Sequence, residues 1–314
     1  MNDNIWLHRF AVLLSFCTLF LIFAGGMVTS TGSGLAVPDW PLSYGQVFPP
    51  MVGGIFYEHG HRLVATAVGI LTIVLAVWLW KREDRAWMRR LGVGALMLVI
   101  VQGVLGGLTV LLLLPIAVSV AHAGIAELFF CTTVAIAVFT SPKWKASRAR
   151  IEDHGGIPLG ALTKAAAAAI YVQILLGALM RHTSSGLAIP DFPLSFGQLI
   201  PPQFTRQILV NFAHRCGALA VAVLVVLLLV AVLRRQEARA LRTPAVLLFC
   251  ALCGQVTLGA FTVWSGKAEV ITTFHVAGGA FTLACGLILA LVAHRVLLPA
   301  AAGDAAVGAA GVNA

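Results

Sequence analysis

His61, His122, His214 and His275 are the residues of this chain whose type and spacing could do chemistry, because the second pair repeats the first at a constant offset of 153 residues. Imidazole is a common metal ligand, and two equivalent pairs imply two equivalent sites. A stand-alone zinc site needs more ligands than this, and no Cys, third His or carboxylate recurs beside the pair in both halves. Axial ligation of a heme by one His from each of two helices needs only the pair.

The elements that must position these residues are membrane spans. Of 314 residues, 60% are hydrophobic and 11% charged, with a mean hydropathy of +0.95, which marks an all-α integral membrane protein. Runs long enough to cross about 30 Å of hydrocarbon lie at 10–30, 60–80, 91–112, 116–140, 161–180, 208–233, 244–265 and 270–298, predicting eight transmembrane helices. The linkers after the second, fourth and sixth carry Lys81, Arg82, Arg85, Arg89 and Arg90, then Lys143, Lys145, Arg148 and Arg150, then Arg234, Arg235, Arg239 and Arg242. The opposite loops hold only Arg181, Arg206 and Lys267. The basic loops are therefore expected on the cytoplasmic side of the cell (inner) membrane, with both termini. The net charge of +9 follows from that asymmetry and from anionic lipid as neighbour, so nucleic acid is not expected as a partner. The first span has a counterpart at 161–180 and is read as retained rather than as a signal peptide. All six cysteines fall inside apolar runs, so no disulfide framework is expected.

Residues 33–50, SGLAVPDWPLSYGQVFPP, and 185–202, SGLAIPDFPLSFGQLIPP, agree at thirteen of eighteen positions. The chain reads as two tandem, parallel four-helix-bundle repeats, residues 1–150 and 151–299, with a disordered tail at 300–314. Gly34 and Gly186 are 152 residues apart, whereas Gln102 and Gln255, like the histidines, are separated by 153. One residue therefore entered between loop and helix. Each Pro- and Gly-rich loop is expected to form a rigid turn that caps the outer mouth of its bundle.

His122, His214 and His275 lie five or six residues inside the outer ends of their apolar runs, about 8–10 Å deep at 1.5 Å per residue, and His61 is expected at the same level as its counterpart His214. Both sites are therefore placed towards the outer face. Arg62 and Arg215 follow His61 and His214, where they could neutralise the propionates of an upright heme or simply snorkel. Small residues recur in QGVLGGLT at 102–109, in QVTLGAFT at 255–262 and after the fourth- and eighth-span histidines. They leave room for a flat macrocycle or for close helix contact. His8, His154, His182 and His294 have no symmetric partners and are read as bland, and His59, matched by Phe212, is a weaker candidate for proton exchange at the mouth.

The halves differ most usefully three residues before the first ligand, where Glu58 is matched by Asn211. That spacing places Glu58 on the His61 face, where a carboxylate can take protons from a substrate or stabilise positive charge on it. It can equally satisfy free N–H groups near the helix start. Glu127, matched by Ala280, is a second carboxylate deep in the fourth span and a weaker proton-relay candidate.

Over nearly its whole length the chain resembles the heme A synthase family, through the TGSGLAVPDWPL loop with its second copy, Glu58 through His61 and Arg62, and the other three histidines in order. The resemblance implies an oxidoreductase that converts the C8 methyl of heme O to a formyl group, giving heme A for terminal oxidases, by successive hydroxylations and loss of water from a geminal diol. It implies a substrate half with Glu58, His61 and His122 as catalytic residues, and a heme b held by His214 and His275. It also implies heme O synthase as the upstream enzyme and an electron acceptor, and it allows a homo-oligomer. One form of the family carries cysteine pairs in the outer loops. Here Val37 and Ser43, then Ile189 and Ser195, stand in their places, so loop disulfides cannot pass electrons. A di-heme b-type cytochrome explains the histidines without needing Glu58, and a parallel-repeat transporter would use His and Glu for proton coupling.

Overall fold

A computed structural model describes residues 5–146, 150–153 and 158–298; Arg148, His154 and the 300–314 tail lie outside them. Eight helices in this range are long and apolar enough to cross a membrane: α1 (Ile5–Ser30), α2 (Gly53–Arg82), α3 (Ala86–Leu111), α4 (Ile116–Thr140), α6 (Leu159–His182), α7 (Arg206–Arg234), α8 (Arg239–Trp264) and α9 (Glu269–Val296). A short helix, α5 (Pro142–Lys145), follows α4, with Ser141 accepting a hydrogen bond from the Trp144 amide. One departure from an all-helical chain is a two-residue parallel pairing of β1 (Ile151–Glu152) with β2 (Leu297–Leu298).

Most helices start before their apolar runs, most of all α2, which starts at Gly53 rather than near 60. His61 and His214 each lie eight residues after the first residue of their helices, and His122 and His275 six. The helices of His61, His214 and His275 therefore start further above the histidines than hydropathy alone indicated, whereas α4 starts where its apolar run does. Backbone hydrogen bonding continues through the polar residues at a membrane surface as readily as through apolar ones.

α1 packs on α2 and α4, and α3 on α2 and α4; α6 packs on α7 and α9, and α8 on α7 and α9. α1 and α4 meet α9, and α4 also meets α6. One core cluster lies among the first four helices around Leu14, Leu75, Leu79, Met88 and Ile136, and another among the last four around Leu159, Val225, Leu228, Leu248 and Leu289. A third, of Phe130, Val134, Ala280 and Ala284, fills the junction of α4 and α9. Phe16, Phe20, Ile70, Leu219 and Leu247 face outward, as lipid contact requires. Hydroxyls inside the helices donate back to their own backbone, as Thr18 does to Leu14 and Thr72 to Val68, so no water is needed there.

Three-residue linkers such as 83–85 can join only antiparallel neighbours. The basic ends of α2, α3, α7 and α8 therefore lie on one side of the molecule and the two repeated loops on the other. At the basic end Asp153 accepts from the amides of Leu159 and Gly160 and pairs with Arg235 at 2.6 Å. This carboxylate starts α6 and ties it to α7.

Candidate functional site

Each of the four histidine rings is backed by a glycine of the preceding helix. A Cβ added to Gly25, Gly177 or Gly259 would lie 3.0 Å from Cε1 of His61, His214 or His275, and one on Gly106 would lie 3.2 Å from that of His122. Any side chain there would push the imidazole away. Three of the histidines are also held at their backbone carbonyl by a glutamine. Gln102 Nε2 donates to the His122 carbonyl at 3.0 Å, and Gln255 Nε2 to that of His275 at 2.8 Å. Gln173 Nε2 donates to the His214 carbonyl at 2.8 Å and lies 3.0 Å from its Nδ1. His61 is the exception, because Leu21 occupies the position equivalent to Gln173 at the 152-residue offset. His122 is within electrostatic reach of His61, and His214 of His275, so the structure brings the histidines together as two pairs. The rings of His61, His122 and His275 are buried against the backbone of Leu21, Gln102 and Gln255 on the preceding helices.

Glu58 is buried, with both oxygens occupied: Oε1 accepts from Arg62 at 2.6 Å and Oε2 from the Val37 amide at 2.8 Å. Six residues into α2, it does not cap the helix start; it fastens the loop. Arg62 spends its other donors on the carbonyls of Asp39, Leu42 and Val37. Arg215 does the same with Leu194 and Ile189, while its Nε donates to Asn211 Oδ1. Both arginines thus stand at the loop-side ends of the ligand helices, with their guanidinium groups committed to the loops. Asn211 reverses the polarity of Glu58 by donating to the Ser185 and Gly186 carbonyls. The loops also press on the bundles. Trp40 fills the space above Gly107, where a Cβ would come within 2.7 Å of its ring, and in the other half the smaller Phe192 corresponds to Trp40 and Ala260 to Gly107.

Inside each loop an aspartate closes the turn, Asp39 on the amides of Tyr44 and Gly45, and Asp191 on those of Phe196 and Gly197. The Gly45 and Gly197 amides, then those of Tyr44 and Phe196, hold the two carboxyls below their ordinary value of 3.8. A depressed folded value means that this contribution to loop order is present above about pH 4 and is lost as pH falls through the folded value. Hydrogen exchange at Tyr44, Gly45, Phe196 and Gly197 is expected to stay protected at pH 5 and to lose protection only in stronger acid; equal protection at pH 5 and pH 2 would contradict it.

Residues 8–54 and 52–287 match the cytochrome oxidase assembly protein family of COX15-CtaA. The heme A synthase of Shouchella clausii is 31% identical over 301 residues, 92% of this chain and 98% of that protein. That of Symbiobacterium thermophilum is 32% identical over 248 residues, covering 77% and 80%. This chain belongs to the heme A synthase family.

The four loop positions at which one form of the family is expected to carry cysteines are closed by packing. Val37, Ser43 and Ile189 are fully buried and Ser195 nearly so, and the six cysteines, all outside the loops, are free. Ser43 Oγ meets His59 Nδ1 at 2.8 Å, leaving His59 Nε2 buried without a partner. Glu127 is buried with Oε2 unpartnered, within electrostatic reach of Tyr171 on α6; the structure places it where α4 meets α6 rather than beside His122. Gly124 admits Tyr171 and Leu175 of α6, so that small residue serves close helix contact. His8 is tied to the Ala137 carbonyl at 3.0 Å, as a structural histidine should be. His182, by contrast, lies within electrostatic reach of His122, which its lack of a symmetric partner did not indicate. Sequence reasoning missed Gly25, Gly177 and Gln173 as well. The two glycines share the 152-residue offset of the loops, and that recurrence could have found them.

Proposed function

We propose that this protein is a heme A synthase that oxidises the C8 methyl of heme O to a formyl group, with heme O held between His61 and His122 and a heme b between His214 and His275. The observation that supports this division of labour is the Leu21 and Gln173 contrast: the carbonyls of His122, His214 and His275 each accept from a glutamine, whereas His61 has Leu21 at the equivalent position. A resident cofactor needs ligand histidines held in one position by their hydrogen-bond partners. A substrate that must enter and leave is better served by a ring with one fewer tether.

The chain's own residues fit the group. Glycines behind all four rings leave them the space to stand in one orientation, as axial imidazoles must. Bound heme b would supply one-electron exchange. Glu58 and Arg62 hold the outer loop closed over the substrate side, excluding water, and Glu58 adds a fixed negative charge next to where positive charge develops. Arg62 and Arg215 bring cations to the outer ends, where heme propionates would be neutralised. In this reading the two units are tandem, parallel four-helix repeats with both termini cytoplasmic and the sites near the outer face. The basic ends of the helices support it. Heme O synthase would supply the substrate, and an electron acceptor would remove the electrons released at the methyl group.

Co-expression with a heme O synthase is expected to yield heme A in extracted membranes, resolved by HPLC of the extracted hemes. Heme O accumulating without heme A would instead favour a di-heme cytochrome.

A further inference from the structure

We propose that Arg181 is a positioning residue shared by the two histidine pairs, and that its charge raises the reduction potential of the heme held by His214 and His275. The proposal rests on the reading of those two residues as the ligands of heme b. Arg181 lies in the last turn of α6, and its Nη2 donates to the Gly26 carbonyl at 2.8 Å and to Ser30 Oγ at 2.7 Å, both on α1. Ser30 Oγ in turn meets Thr273 Oγ1 of α9 at 3.0 Å. One guanidinium therefore joins α6 and α1 directly and reaches α9 through Ser30.

The network ends beside ligands on both sides. Gly26 follows Gly25, the glycine behind His61, and a Cβ on Gly26 would lie 3.1 Å from Thr273 Cγ2. Thr273 is fully buried and precedes His275 by two residues. The charge on Arg181 is felt at His275, and its neighbour His182 is felt at His122.

Nothing in the duplication requires a cation here, since the equivalent position in the first half is Thr29. Elsewhere in the bundle Thr18 and Gln173 make interior hydrogen bonds without charge, and among the described residues no carboxylate pairs with Arg181. A neutral side chain could make the same tie at lower desolvation cost, so the charge itself needs a use. Reduction of ferric to ferrous heme takes up one electron and lowers the net charge of the site by one. A fixed cation nearby favours the ferrous form.

The test is a spectroelectrochemical titration of heme b in the purified full-length holoprotein, with dithionite and ferricyanide as titrants. Arg181→Gln keeps donors for Gly26 and Ser30 but removes the charge. It is expected to lower the ferrous-to-ferric ratio about tenfold at the wild-type midpoint, the size of effect of a nearby unit charge at an effective dielectric of about 20, which is about 59 mV for one electron. Arg181→Lys is expected to retain the wild-type potential. An unchanged potential in a heme-loaded Arg181→Gln protein overturns the proposal. If that variant does not assemble, Ser30→Asp sets a carboxylate against the guanidinium and is expected to give the same fall; no fall there overturns it equally. A wild-type protein with no bis-histidine heme spectrum defeats the ligand reading and this proposal with it, whereas loss of heme A formation alone leaves the potential measurable.

Discussion

Glu58→Gln is expected to cut heme A formation by about 10²–10⁴-fold, the range for losing a positioned acid or base, while heme b stays bound. The substitution preserves shape and removes charge. Glu58 accepts from Arg62 on one oxygen and from the Val37 amide on the other. A glutamine can satisfy only one of those donors and turns its own NH2 towards the other. Breaking a buried ion pair by removing one partner costs about 3–5 kcal/mol, and here that penalty falls on the latch that holds residues 33–50 over the bundle. The first half therefore loses both the negative charge and its closed loop. Nothing in the second half depends on Glu58, because Arg215 is held by Asn211 and its own loop carbonyls. The measurement is heme A against heme O by HPLC, with the reduced-minus-oxidised spectrum of heme b as control. Wild-type heme A content in this variant would remove Glu58 from the mechanism.

His275→Ala is expected to strip heme b from the purified protein, whereas His61→Ala leaves it bound. The graded version is more informative, since Gln173→Leu reproduces at His214 the surroundings of His61. A lost partner of a metal-binding histidine typically costs 10–100-fold in affinity, so Gln173→Leu should purify with substoichiometric heme b that added hemin restores. Heme content by pyridine hemochrome reads both effects. Full occupancy in Gln173→Leu would mean that the Leu21 and Gln173 difference does not separate a resident heme from a substrate.

The sequence by itself determined the eight spans, the two copies of the loop, the four histidines at equal offsets and the Glu58 and Asn211 contrast. These are legible because span length follows from hydrocarbon thickness and because a duplication puts equivalent residues at one offset, whatever they touch. The tertiary structure decided what stands against each histidine. Helices apolar all round carry no stripe that separates a lipid-facing from a bundle-facing side, so Gly25 behind His61, Gln173 on His214 and Arg181 across α1 could not be placed by periodicity. The same holds for Glu58. Its spacing put it on a helix face, but whether that carboxylate points at a substrate or grips a backbone amide depends on where residue 37 comes to lie, and only the folded loop brings the Val37 N–H to 2.8 Å from Oε2.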